Sequence, residues 1–202
     1  CHRQPQPHAA AGVVITESLK WGQPAYQTLA TKAGTTLRLG LLTRKDPRPA
    51  LFALYAFNAE VAKTREVVSE AMLGDIRLQW WREAIEECYA GRARRHEVVR
   101  PLAEAIAAHK PDRALFDALI DARARDLDDA PIESLEAFEA YAEKTSGNLI
   151  RLAAQMLDAE ETAESAEAAR HVGIAYALVG QIRALPFTLP HRRTMLPREP
   201  LR

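Results

Sequence analysis

From Ala50 onward, apolar residues recur at spacings of three and four, and no stretch alternates long enough to form a strand. Leu51, Leu54, Tyr55, Phe57 and Val61 mark a helix up to about Val68, with Pro49 in its first turn. This periodicity restricts the chain to helices packed on helices, because each apolar stripe has to be buried against another. Composition points the same way: 37 Ala and 23 Leu, strong helix formers, stand in 202 residues against 6% aromatic.

Punctuation divides the remainder. Asp75 is expected to cap a helix whose apolar face is Ile76, Leu78, Trp80, Trp81, Ile85 and Cys88, with Gly91 ending it. Pro101 opens a short helix, and Pro111-Asp112 starts another that buries Leu115, Phe116, Leu119, Ile120 and Leu127. Pro131 and Ser134 mark a further start, followed by Leu135, Phe138, Tyr141, Leu149, Leu152 and Met156. A final helix is expected from about Ala159 to Leu185. The chain therefore predicts an all-α single-domain bundle of six or seven helices, with Leu54, Phe57, Leu119, Phe138, Leu149 and Ile182 in the core. Residues 1–17 read as an N-terminal arm, and residues 18–202 as the domain, incomplete at its C-terminal end.

Charge excludes some functions. The formal net charge is zero, but residues 51–180 carry −9, flanked by +5 in residues 1–50 and +4 in residues 181–202. An acidic body is a poor partner for a phosphate backbone, so no nucleic-acid role is expected. Cys1 and Cys88 are too few for a disulfide framework, and Cys88 reads as a core thiol. The longest apolar run, Val172 to Leu185, contains Gln181 and Arg183 and falls short of the ~20 residues of a membrane span.

Candidate chemistry is sparse. Asp117 and Asp121 share a helical face and could share a Mg²⁺, but Arg113, Arg123 and Arg125 are interleaved and can neutralise them. Glu83, Glu86 and Glu87 read as a solvated face. Trp80 and Trp81 cannot both point inward, so one belongs to the core and the other to its rim or to a partner or ligand surface. His96, His109 and His171 have no ligand spacing and no triad partner. Arg183 lies within an apolar run and is expected to need a buried partner, with Glu66 the first candidate.

Taken in order, Ala53-Leu54-Tyr55-Ala56-Phe57, Arg77-Leu78-Gln79-Trp80-Trp81-Arg82, Leu119-Ile120-Asp121 with Asp126-Leu127, Tyr141 through Gly147, Gly173-Ile174-Ala175, Ile182-Arg183 and Leu196-Pro197 resemble the squalene/phytoene synthase family. The resemblance spans about Leu37 to Leu201 and implies the isoprenoid synthase fold. It also implies an enzyme that joins two prenyl diphosphates head to head, using Mg²⁺ held by two aspartate-rich motifs. Here the first motif's positions read Ala62-Lys63-Thr64-Arg65-Glu66, and the acids of the second fall on Ala184 and Thr188. Asn58-Ala59 stands where the family has Cys-Arg, which removes a phosphate-binding guanidinium. Of the family pocket there remain Tyr141 and Arg183, with Arg183 and Arg193 as the anion-binding candidates.

A diphosphate leaves only when several carboxylates hold bridging Mg²⁺ against it. Ala and Thr hold no metal, and Lys63 repels one, so no cofactor is expected. The variant Ala-Phe-Asn-Ala-Glu-Val-Ala, followed by Val68-Ser69-Glu70, resembles a subgroup without the aspartates, which includes the mitochondrial complex I assembly factor and its alphaproteobacterial relatives. That resemblance implies a non-catalytic protein whose partner is a complex I subunit or assembly intermediate. It would be cytoplasmic or peripheral to the inner membrane in a bacterium and mitochondrial in a eukaryote, with a prenyl or lipid ligand as a further candidate for the central cavity. The alternative is a Mg²⁺-dependent prenyl transferase working through Glu66, Asp117 and Asp121.

Overall fold

A computed structural model describes residues 48–128 and 130–188. Among them are eight α-helices and no strand. They are α1 (Arg48–Ala62), α2 (Thr64–Val67), α3 (Ala71–Tyr89), α4 (Val99–His109), α5 (Arg113–Ala122), α6 (Leu135–Ala142), α7 (Asn148–Met156) and α8 (Ala163–Thr188). A 3₁₀ turn, Arg123–Leu127, extends α5, and a π-helical turn, Glu143–Gly147, joins α6 to α7. The N-terminal arm and Arg193 lie outside the described residues, as does the side chain of Thr188.

Helix α1 carries the core. The sequence marks one apolar face, yet no residue from Pro49 to Ala62 is exposed, because α4 and α7 pack against this helix and cover its other sides. Phe57 meets Trp81 of α3 and Phe116 of α5 edge-on, each with ring centroids 5.4 Å apart. Trp81 is the inward indole and Trp80 the half-buried one, as expected from their adjacency. Cys88 is buried, its Sγ 3.9 Å from the carbonyl of Val99. No helix among the described residues is long and apolar enough to cross a membrane.

Local chemistry sets several boundaries. The Asp112 carboxylate accepts from the Ala114 N–H at 2.9 Å, and Ser134 Oγ accepts from Ala137 N–H at 3.2 Å. Gly91, with φ of +73°, ends α3 where a side chain would be strained. Helix α3 begins at Ala71, four residues before the expected Asp75 cap, and Glu70 caps it without a side-chain bond.

Several expected inward positions are corrected, Leu135 among them at 38% exposed. Ile76 is 60% exposed rather than on the buried face, and Ile182 is 52% exposed rather than in the core. Arg183 is exposed too, so it is not a buried cation in search of a counter-charge. Helix α8 turns Ile174, Ala177 and Leu178 toward α6, and nothing among the described residues covers the stripe of Val172, Tyr176, Val179 and Ile182.

Helix α8 is fixed to the bundle by a backbone contact. A Cβ built on Gly173 would stand 2.4 Å from the amide nitrogen of Gly147 and 2.5 Å from its Cα. Only glycine lets the π-helical turn and α8 approach this closely. Gly173→Ala is therefore expected to destabilise the protein by about 1–3 kcal/mol or more, the usual cost of overpacking, read as a fall in the denaturant midpoint. A second test concerns Cys88, whose thiol burial pushes up to about 11. An acid with a raised folded value is more protonated in the folded state. Its stabilising contribution is complete below the ordinary thiol range and fades as pH rises toward 11. In Cys1→Ser protein, iodoacetamide is accordingly expected to label Cys88 slowly at pH 8 and quickly once the chain is unfolded.

Candidate functional site

The first motif region sits where α1 ends. The helix breaks at Lys63 and restarts as the single turn of α2. Lys63 lies three residues after Glu60 and pairs with this acid, which is only 6% exposed. The Glu60 carboxylate also accepts from Arg77 Nη2 of α3 at 2.8 Å. One buried acid is thus held between two bases, so it is neither unpaired nor free to bind a metal. Sequence reasoning passed over Glu60. The available signal was an acid three residues before a lysine in an otherwise apolar helix.

Glu66 faces solvent, and no ion pair joins it to Arg183. The expected pairing of the two is therefore corrected. The helices that carry them present Glu66 and Arg183 to water, where neither needs the other. At the remaining motif positions Ala62 and Ala184 offer no oxygen ligand. Asp117 and Asp121, the other candidate carboxylates, are engaged: Arg113 bonds Asp117 at 3.2 Å and Arg82 bonds Asp121 at 2.7 Å. Among the described residues, no three His, Cys, Asp or Glu side chains are grouped so that they could hold a metal.

Tyr141 is built into a second buried network. Its hydroxyl donates to Asp126 Oδ1 at 2.6 Å and accepts from Arg123 Nη1 at 2.8 Å. Arg123 Nη1 also lies 3.2 Å from Asp126 Oδ2, and its guanidinium sits 5.8 Å from the centre of the Tyr141 ring. The two charged side chains are 16% and 13% exposed. Burial pushes the Tyr141 hydroxyl well above the usual range, so it stays protonated and remains a donor. Burial opposes the charge on Arg123, but Tyr141 and Asp126 outweigh it and hold the guanidinium firmly cationic. The wide turn after α6 supports this arrangement, with Thr145 Oγ1 donating to the Tyr141 carbonyl at 2.8 Å. The sequence places Tyr141 in the family pocket but gives no sign that Arg123 and Asp126 close around it.

These two networks predict opposite outcomes for neighbouring substitutions. Glu60→Gln leaves two bases sharing no counter-charge and is expected to cost about 1–3 kcal/mol, and Tyr141→Phe a similar amount by stripping Asp126 and Arg123 of a partner. Glu66→Gln and Arg183→Met are expected to stay within about 0.5 kcal/mol of the parent, as exposed changes do. Urea unfolding of the four variants checks all of this.

Comparison with known proteins agrees with this geometry. The family model for squalene/phytoene synthase matches residues 34–202. Among curated relatives, "NADH dehydrogenase (ubiquinone) complex I, assembly factor 6" is 32% identical in Bos taurus and 31% in Homo sapiens, each over 157 residues. Each alignment covers 78% of this chain and 47% of the relative, so the chain spans about half the length of these proteins. The Drosophila melanogaster homologue is 28% identical over 167 residues, 80% of this chain and 49% of that protein. Among solved structures, the squalene synthase HpnC from Alicyclobacillus acidocaldarius superimposes with a TM-score of 0.76 at 19% identity, covering 86% of this chain and 65% of that one. A ligand-bound dehydrosqualene synthase gives 0.74 at 15% identity, over 86% and 60% of the two chains. At such identities the structures speak for the fold, while the match over residues 34–202 speaks for the lineage: the chain belongs to the squalene/phytoene synthase family.

Proposed function

We propose that this protein is a non-catalytic member of its family that assists assembly of the respiratory NADH dehydrogenase, and that it uses no metal cofactor. The observation that carries the reading is the state of the first motif. Lys63 occupies the second of its positions and is bound to buried Glu60, which also receives Arg77. A cation tethered there repels Mg²⁺, and the acid nearest to it is already saturated. The similarity to complex I assembly factors, at about one third identity over most of this chain, supplies the role. The partner under this reading is a subunit or assembly intermediate of that enzyme, met at the inner membrane in a bacterium or mitochondrion.

The competing reading, a prenyl transferase working through Glu66, Asp117 and Asp121, finds little support. Glu66 is exposed and stands apart from the arginine-paired Asp117 and Asp121. Two measurements decide. Incubation of the protein with farnesyl or geranylgeranyl diphosphate and Mg²⁺ is expected to release no pyrophosphate above background. Capture of the full-length protein from solubilised membranes is expected to enrich NADH dehydrogenase subunits, and cells lacking it to accumulate incompletely assembled enzyme on native gels. Mg²⁺-dependent pyrophosphate release, or normal enzyme assembly in the deleted cells, overturns the reading.

A further inference from the structure

Helix α3 leaves half of one face uncovered. Its C-terminal half is overlaid by the loop that follows it. There Arg94 bonds Glu83 and Glu87 and donates to the Trp80 carbonyl, and the His96 ring lies 5.2 Å from that of Trp80 and 5.4 Å from that of Trp81. The N-terminal half has no such cover. A groove of about 540 Å³ lies there, lined in part by Val67 and Val68 after α2, by Leu73, Ile76 and Trp80 of α3, and by His96 of the loop. Val67, Leu73 and Ile76, with Met72 beside them, are each between 46% and 69% exposed. Four large apolar side chains gathered in water mark a docking surface, unlike the scattered exposure that is normal for any protein.

The exposed charges around this patch are sorted by sign along α3. Between Glu66 and Gln79 they are Glu66, Glu70 and Asp75, with no exposed base among them. None of these acids has an ion-pair partner among the described residues. In the loop after α3 and at its far side they are Arg92, Arg95 and Arg100, against the single acid Glu97. The Arg92 N–H donates to the Glu87 carbonyl at 2.8 Å, which places Arg92 at the end of α3. Arg95 stands between Arg94, stacked 5.2 Å from the Trp80 ring, and His96, so it is carried at the level of Trp80. One half of the face is thus acidic and the other basic, with the apolar groove between them.

We propose that this groove is a self-association surface, on which two copies of the chain pair with α3 antiparallel to α3 about a two-fold axis at Ile76. A two-fold axis sets each residue opposite one that lies as far beyond the axis as it lies before it. Ile76 then meets its own copy, and Met72 of each chain meets Trp80 of the other. The acidic half of each chain faces the basic half of the other, Glu70 against Arg95 and Glu66 against Arg92. The heights agree within the reach of an arginine side chain. Glu70 stands about 9 Å before Ile76 along α3, and Trp80, at whose level Arg95 is carried, about 6 Å beyond it.

A second copy is the occupant because the surface carries both halves of its own complement. Apolar side chains at the centre and opposite charges on either side are what an isologous contact requires, and electrostatic pairing fixes its register. An anionic bilayer suits the face poorly, since Glu66, Glu70 and Asp75 flank the most exposed apolar side chains and repel it. The pairing stands apart from the proposed role in assembly and is tested without it.

Sedimentation equilibrium of the full-length protein is the test. Expected is a reversible monomer–dimer equilibrium that weakens as salt is raised, because exposed ion pairs are screened. Ile76→Asp puts like charges at the axis and is expected to leave only monomer, with an unchanged circular dichroism spectrum because the site is exposed. Glu70→Lys and Arg95→Glu each act twice in a symmetric pair, and each is expected to weaken it at least tenfold. An equimolar mixture of these two variants is expected to pair as well as the parent, since both contacts of the mixed dimer again join opposite charges. A protein that stays monomeric up to hundreds of micromolar overturns the proposal, and one that then sediments with anionic vesicles assigns the face to a membrane instead. A dimer indifferent to Ile76→Asp, or a mixture no better paired than its components, overturns it as well.

Discussion

The buried carboxylate of Glu60 determines more of this structure than any other single group. A charge removed from water is tolerable only with partners in good geometry, and here they come from two directions. Lys63 reaches it from three residues on, the spacing that puts two side chains on one helical face. Arg77 reaches it from α3, seventeen residues on, which fixes how α3 lies across the end of α1. Everything that follows along α3 inherits that placement: Leu78 and Trp81 in the core, Ile76 outside it, Trp80 on the rim. The same contact takes one edge of the guanidinium, while its buried Nε has no acceptor.

Buried charge and local spacing also divide what was legible in the sequence from what was not. Features written into neighbouring residues were readable. The Asp112 and Ser134 caps, the Gly91 stop and the inward positions of Leu54, Phe57, Leu119, Phe138 and Leu149 follow from period and local hydrogen bonding. The family was readable because the order of short stretches carries information that no single stretch does. The start of α3 was not readable, because Glu70 caps it without a side-chain bond and Asp75 offered a better local signal.

The misread positions on α8 share a physical cause. A helix that is apolar on every side does not announce which side its neighbours will cover. In α1 all sides are covered; in α8 one side packs on α6 and the opposite stripe is exposed, taking Ile182 and Arg183 with it. In α8 the packed side is held by the approach of Gly173 to Gly147, a contact between residues 26 apart in the sequence whose only local trace is the absence of a side chain. The π-helical turn at Glu143–Gly147 belongs to the same contact and has no period of its own to reveal it.

The two ionic networks suggest how a fold built to hold diphosphate can persist without it. In the family's enzymes, acids on facing helices hold divalent cations, and guanidinium groups hold the anion. Removing only the acids would leave unanswered positive charge; removing only the bases would leave buried acids. This chain instead internalises both signs. Glu60 receives a cation that cannot dissociate because it is the ammonium of Lys63, on the same stretch of chain. Arg123 receives an anion in Asp126, three residues away, with the Tyr141 hydroxyl bridging the two. The Tyr141 network holds one base and one acid, and the Glu60 trio one acid and two bases, whose side chains are 24% and 32% exposed and reach water. Glu66 and Arg183, at the family's other positions, lie at the surface, where water screens them at little cost. Glu60 and Asp126, the acids buried in the two networks, thus each have a partner supplied by the chain, and their burial requires no exchangeable ion.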